Sequence, residues 1–330
     1  MKCINNAAGL SVLLILMLSV MVTGCASKDY ELPYDPDSTV SSFQMTENSM
    51  VTTADAFAED ICVTAVDVTD GTDVDMSQAS SAGLFDLNHT DVIYAKNVHE
   101  KLYPASLTKV MTALVALKYG SPEDMITVSA DAAGIKESGA QLIGLKTGDT
   151  LTLSQALHAL LMYSANDAGV AIADHIGGSV ENFAEMMNQE ALEIGATNSH
   201  FVNPHGLQDD NHYVTAYDLY LIFNEALKYD LFSEIIQMDS YSTTYTDSSG
   251  NPKKMEIGTT NLYLKGTYTP PENITVLGGK TGTTNAAKNC LILLSKDVSG
   301  NPYISVILRS EERGIMYEEM TDLLSEIGRP

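Results

Sequence analysis

The sequence predicts an α/β chain of the α+β kind, with one antiparallel sheet built from both chain ends, flanked by helices, beside a helical lobe. Three observations predict it. Strand-like apolar runs stand early, in "ICVTAVDV" (61–68) and "AGLFDLNHTDVIYAKN" (82–97). Helical periodicity fills the middle of the chain. Strand-like runs then return in "NITVLGGK" (273–280), "NCLILLSKD" (289–297) and "YISVILRS" (303–310).

Each element has a local reason. The second early run reads as a hairpin with its turn near Asn88. Pro104 sits where the chain enters a helix that continues through "SLTKVMTALVALKYG". Thr152-Leu-Ser-Gln155 has capping-box form, followed by Leu157, Leu160 and Leu161 at helical spacing over 153–163. Ser179 caps a helix whose inner face carries Val180, Phe183, Met187, Ala191 and Ile194, and Gly195 closes it. Thr215-x-x-Asp218 opens another, with Leu219, Ile222, Phe223 and Ala226 inward. Ser299-Gly300-Asn301-Pro302 separates the last two strands, and a final helix is expected over 311–327.

The N-terminus reads differently. Residues 1–25, "MKCINNAAGLSVLLILMLSVMVTGC", have Lys2 as the only charge and an apolar run from Leu10 to Val22. That run has the proportions of a secretory signal and is short for a membrane span. Val22-Thr23-Gly24-Cys25 resembles a bacterial lipobox, which implies cleavage before Cys25 and a diacylglycerol on its thiol. Two acyl chains give stable anchoring. The expected organisation is a signal peptide over 1–24, a polar tether over 25–57 and a catalytic domain over 58–330 without a C-terminal β-domain. A coil of some 30 residues spans on the order of 30 Å. The expected location is the outer face of the cell membrane, held by lipid.

Composition narrows the function. Acidic residues number 43 against 18 basic ones, for a formal charge of −25. Such a surface repels polyanions, so nucleic acid is not an expected partner. Of four cysteines, Cys3 leaves with the signal and Cys25 carries lipid. Cys62 and Cys290 stand in strand-like runs, where a cysteine is commonly a small buried hydrophobe; whether they pair is left open. His89, His158, His200 and His205 show no metal-ligand spacing, and no metal or cofactor is expected.

Three motifs carry chemistry. Ser106 and Lys109, at i and i+3 on one helix face, place an amine within reach of a hydroxyl. A lysine serves as general base only if burial or nearby positive charge lowers its pKa. Ser164-Ala165-Asn166 follows the 153–163 helix and offers a proton-relaying hydroxyl and an amide for a substrate carbonyl. Lys280-Thr281-Gly282 follows a β-branched run. On a strand edge, its Lys charge and Thr hydroxyls grip a carboxylate, and its glycine lets a peptide pair as an added strand. Lys146-Thr147-Gly148 repeats the tripeptide in a turn and reads as surface. Each motif alone also fits an ordinary cap, loop or turn.

Together, Ser-x-x-Lys, Ser-x-Asn and Lys-Thr-Gly in this order resemble the set of penicillin-binding proteins and serine β-lactamases. The segments "YPASLTKVMTALVAL", "LHALLMYSANDAGVAIADHIGG", "FVNPHGLQDDNHYVTAYDLYLI", "GTTNLYLK" and "GGKTGTTNAAKNCLILLSK" resemble the serine D-Ala-D-Ala carboxypeptidases of the S11 peptidase family. That resemblance spans about 58 to 310 and implies a penicillin-binding-protein/β-lactamase-like transpeptidase fold. It implies Ser106 as nucleophile, Lys109 as proton acceptor, Ser164 as relay and Asn166 as orienting amide. Lys280, Thr281 and Thr283 would bind the terminal carboxylate, with Gly282 between them, and the N–H groups of Ser106 and Thr283 would form the oxyanion hole. The implied substrate is the D-Ala-D-Ala end of peptidoglycan stem peptides, with β-lactam antibiotics as covalent inhibitors. Leu277-Gly278-Gly279 departs from the Asp-Gly common before the tripeptide.

The motifs do not choose the acyl acceptor, so endopeptidase or transpeptidase action on the same peptides is an alternative. A β-lactamase of the class A type needs a carboxylate in a Glu-x-x-x-Asn segment, and the corresponding "NSHFVNPHG" has no acid. A wall-binding lipoprotein without catalysis is the remaining alternative.

Overall fold

The computed structural model describes residues 58, 60–72, 74–137 and 139–329. The expected signal peptide, Cys25 and the 25–57 tether lie outside those residues. The early hairpin is β1 (Ala79–Asp86) and β2 (Asp91–Lys96). The Asp86 carboxylate accepts from Asn88 N at 2.8 Å and His89 N at 3.1 Å, closing the turn where Asn88 predicts it.

The helical lobe follows as α1 (Thr108–Tyr119), β3 (Met125–Thr127), α2 (Ala130–Ala133), β4 (Thr150–Thr152) and α3 (Leu153–His158). It continues as α4 (Asn166–Gly177), α5 (Val180–Glu193), α6 (Ala216–Ala226) and α7 (Asp230–Ile236). The side chains of Thr152, Ser179 and Thr215 each accept a backbone N–H three residues on, so all three N-caps form as the sequence predicts. The chain then runs through β5 (Ser240–Thr246), β6 (Pro252–Gly258), β7 (Thr275–Thr284), β8 (Lys288–Lys296), β9 (Pro302–Ser310) and α8 (Arg313–Leu324).

The main sheet is antiparallel in the order β2-β1-β9-β8-β7, so its strands do come from both ends of the described chain. One face carries Phe85, Ile292, Ile304 and Val306 against Val110, Leu114 and Phe223 of the lobe. The other carries Leu84, Leu291, Leu293 and Ile307 against Met316, Tyr317 and Met320 of α8. Burial on both faces explains why β8 and β9 read as nearly continuous apolar runs. β7 lies at the sheet edge, with one side open to a partner strand.

Two sequence expectations need correction. "ICVTAVDV" is not a strand: only Val68 bridges, to Ala95. The backbone there is satisfied by distant side chains, since Cys62 N donates to Tyr220 Oη at 2.8 Å and Tyr217 Oη donates to Cys62 O at 2.9 Å. Val63 and Val66 stay 64% and 69% exposed, while Cys62 is buried and Ile61 and Val68 pack against the core, so the run meets the core at single residues and not as one strand face. Conversely, a second sheet, β3-β4-β5-β6, has no counterpart in the strand-like runs of the sequence. Its longest strands, "SYSTTYT" and "PKKMEIG", are largely polar, and β3 and β4 have three residues each. Cys62 and Cys290 are buried free thiols.

Candidate active site

Ser106, the expected nucleophile, sits on a short 3₁₀ turn, Ala105–Leu107, leading into α1. Ala105 has φ +48°, a left-handed conformation that a non-glycine residue holds only when its surroundings enforce it. Those surroundings are visible. Thr108 Oγ1 donates to Ala105 O at 2.9 Å and lies 2.8 Å from His212 Nε2. Val202 N donates to His212 Nδ1 at 3.2 Å, so Nε2 carries the imidazole proton and donates to Thr108. Burial pushes the His212 pKa down to about 4, which keeps the ring in this neutral form.

Two glycines make room for the turn. A Cβ on Gly206, at φ +83°, would lie 1.8 Å from Ala105 O. A Cβ on Gly282 would lie 2.9 Å from Pro104 O and 3.1 Å from Ser106 N. The smallness of Gly282 therefore serves close packing of β7 on the nucleophile turn, a role apart from the substrate approach expected of it.

Lys109 is fully buried and donates from Nζ to Asn166 Oδ1 at 2.7 Å and His205 O at 2.7 Å, and its Nζ lies 3.0 Å from Ser106 Oγ. Burial, and then the neighbouring charge of Lys280, holds its pKa well below the ordinary lysine value. A neutral amine keeps two N–H groups and one lone pair. The two carbonyl oxygens accept the N–H groups, so the lone pair is left facing Ser106 Oγ–H. This is the geometry of a general base beside its nucleophile.

Across the cleft, α3 widens into a π-helical turn over Ala159–Tyr163 and ends at Ser164, φ +69°. Such turns concentrate at functional sites because the extra residue re-aims the side chains after it. Ser164 Oγ accepts from Lys280 Nζ at 3.0 Å, and Lys280 also donates to Thr281 O at 2.8 Å. Burial lowers the Lys280 pKa to about 7. Lys280 is 1% exposed and lies under the cleft floor. The walls of the cleft, about 840 Å³ in volume, include Ser106, Ser164, Asn166, Thr281, Thr283 and Arg313.

The expected polar site residues and the 281–283 strand thus converge from three separate segments. The Lys146 copy of the tripeptide lies in an exposed turn, with Lys146 N donating to Asp149 Oδ2 at 3.1 Å. Several contributors were missed by sequence reasoning. His205 acts through its backbone carbonyl, which no side-chain motif advertises. Thr260 Oγ1 lies 2.7 Å from Thr281 Oγ1, and Arg313 Nη2 donates to Thr260 O at 3.3 Å. Asp167 accepts from the N–H groups of Ile143, Gly144 and Leu145 and so holds the loop whose Gln141 O accepts from Asn166 N at 2.7 Å. Its position directly after Asn166, in the first turn of α4, was the available signal.

A buried lysine beside one serine, a second lysine bonded to another serine, and an edge strand form an arrangement suited to serine acyl transfer. The comparisons agree with that class. The model of the S11 peptidases, described as D-alanyl-D-alanine carboxypeptidase, matches residues 68–312. The chain belongs to the S11 peptidase family. It is 37% identical over 226 residues to D-alanyl-D-alanine carboxypeptidase DacF of Bacillus subtilis, covering 66% of this chain and 54% of the relative. It is 31% identical over 251 residues to DacA of Haemophilus influenzae, covering 74% and 61%. The crystal structure of the Streptomyces K15 DD-transpeptidase superposes with a TM-score of 0.70 at 25% identity, over 76% of this chain and 96% of that one. The fold is that of the penicillin-binding DD-peptidases. The chain spans a little over half the length of the curated relatives it matches.

Proposed function

We propose that the protein is a serine-type D-alanyl-D-alanine carboxypeptidase that trims peptidoglycan stem peptides and is acylated by β-lactams. The observation that carries this reading is the buried Lys109 Nζ, 3.0 Å from Ser106 Oγ, with Asn166 Oδ1 and His205 O accepting its N–H groups.

Lys109 takes the Ser106 proton as Oγ attacks the carbonyl of the penultimate D-alanine. Charge developing on the carbonyl oxygen is met by the N–H groups of Ser106 and Thr283, each donor worth about 3–4 kcal/mol in comparable acyl transfer. The C–N bond breaks as Ser164 passes a proton to the leaving amine. Water, activated by Lys109, then hydrolyses the Ser106 ester. Thr281 and Arg313 hold the terminal carboxylate, and Lys280 acts from beneath through Ser164 and the Thr281 carbonyl.

Intact-mass measurement with penicillin tests the nucleophile: a covalent adduct is expected that Ser106→Ala abolishes, and an adduct surviving that change overturns the assignment. D-alanine release from a D-Ala-D-Ala peptide, measured beside β-lactam turnover, separates carboxypeptidase from β-lactamase. The likeness to the Streptomyces DD-transpeptidase supports a second reading, in which an amine replaces water at the acyl-enzyme. Product analysis with an added amino acceptor distinguishes the two.

We also propose that Cys25 is lipidated and holds the protein on the outer face of the cell membrane. The support is the apolar run from Leu10 to Val22 ending at Thr23-Gly24-Cys25. Labelled palmitate should enter the protein and not its Cys25→Ser variant.

A further inference from the structure

Past the end of β7 lies a second cleft of about 530 Å³, which shares Asn285 and Ala286 with the active-site cleft. Its other walls come from the 100–103 segment ahead of the nucleophile, from Asp210 and Tyr213, and from the adjoining ends of β8 and β9.

Three of its lining residues are cations, Lys101, Lys288 and Arg309, in a chain with 18 basic residues against 43 acidic ones. Lys101 Nζ lies 4.6 Å from the Tyr213 ring centroid, and Lys288 pairs with Glu311 at 3.1 Å. The Arg309 guanidinium makes no hydrogen bond or ion pair among the described residues. The acids on the cleft are Glu100 and Asp210, and Asp210 already accepts from Tyr103 Oη at 3.3 Å.

Lys288 and Arg309 both have φ +56°. Arg309 stands where the β8–β9 register slips between Asn289 and Leu291, and its N–H donates to Cys290 Sγ at 3.5 Å. A bulge re-aims a side chain, and left-handed non-glycine residues cluster at functional sites. Ala105 and Ser164, in the adjoining active site, are two of the others.

The direction of the substrate follows from the proposed function, on which this inference rests. On that reading the terminal carboxylate is held at Thr281 and Arg313 and the scissile bond at Ser106, all on the walls of the active-site cleft, with Ser106 N beside Gly282. Residues before that bond therefore run past Thr284 toward Asn285 and Ala286, about 3.3 Å per residue when extended. Three extended residues cover about 10 Å, which points the third residue before the bond toward the second cleft through the shared Asn285 and Ala286.

We propose that this cleft is the acyl-donor subsite, in which Arg309 and Lys101 bind a free carboxylate on the third residue before the scissile bond. The α-carboxylate of a γ-linked glutamate has that chemistry, and its amide does not.

The test uses a pentapeptide with a γ-linked glutamate as second residue, ending in D-Ala-D-Ala, and the same peptide with the glutamate α-carboxyl amidated. Calorimetric binding to the Ser106→Ala protein should favour the free acid by about tenfold, and Arg309→Gln in that background should erase the preference. The acid-to-amide ratio is internal to each variant. If thermal melting shows Arg309→Gln unfolded, Lys101→Gln serves as the second variant and should reduce the ratio. Equal binding of acid and amide, or a preference that survives both substitutions, overturns the subsite. If the unsubstituted enzyme releases no D-alanine from either peptide while the binding preference holds, the carboxypeptidase reading fails and the subsite stands. Release of D-alanine without any acid preference leaves the carboxypeptidase reading intact and removes the subsite.

Discussion

Lys280 Nζ donates to Ser164 Oγ at 3.0 Å, joining the edge strand to the end of the widened helix across the cleft floor. The contact makes Lys280 an internal strut, and in the proposed mechanism its charge acts through Ser164. Lys280→Ala should therefore lower kcat/KM for D-alanine release by about 10²–10³-fold, the range of a lost proton-transfer arrangement. Lys146→Ala, in the exposed copy of the tripeptide, should stay within about twofold in the same assay. A large loss from Lys146→Ala in a folded protein would contradict the assignment of the two copies.

Burying Lys280 also has a pH signature. Its folded pKa is about 7 against an ordinary 10.5, so between these values the unfolded chain binds the extra proton. Stability contributed at this position therefore rises with pH from about 7 to about 10.5, and the burial cost is complete below about 7. Lys280→Met should raise the melting temperature at pH 7, with the advantage shrinking toward pH 10. An advantage that is flat across that window would show the lysine to be charged throughout.

Gly206 has no room for a methyl group. Gly206→Ala would drive a Cβ to within 1.8 Å of Ala105 O at a left-handed position. The expected cost is about 3 kcal/mol or more, combining backbone strain with displacement of the nucleophile turn. Denaturant unfolding should show that loss, and penicillin acylation should slow even where the variant remains folded.

Arg313 lines the cleft at the end where the proposed mechanism puts the terminal carboxylate. Arg313→Leu should raise KM for a D-Ala-D-Ala peptide by about 10–100-fold, the worth of a hydrogen bond to a charged group. The penalty should vanish with a peptide whose terminal carboxylate is amidated. An equal penalty on both peptides would mean that Arg313 only supports Thr260 O.

His212 positions the nucleophile turn through Thr108 without touching substrate. His212→Ala should lower kcat with KM nearly unchanged and cost about 1–3 kcal/mol of stability, because Thr108 and Val202 N lose a buried partner. A KM effect alone would point to a different role.

Much of the fold was legible locally. The hairpin turn at Asn88 and the caps at Thr152, Ser179 and Thr215 each depend on atoms within a few residues. The apolar runs of β8 and β9 announced a sheet covered on both faces. Polar β5 and β6 hid the second sheet, and Val63 and Val66 imitated a strand because alternation alone does not say what a run will meet.

By itself the sequence determined the order of the three motifs, the Ser106–Lys109 spacing and the short-range caps and turns, all set by neighbours along the chain. Only the tertiary structure decided what those residues become. Lys109 is placed to act as a base because His205 O, 96 positions away, and Asn166 Oδ1, 57 away, take its N–H groups in a fully buried site. Gly206, Thr260 and Arg313 join the site only when distant segments close on one cleft. Desolvation and long-range hydrogen bonding depend on that closure, and no local pattern encodes them.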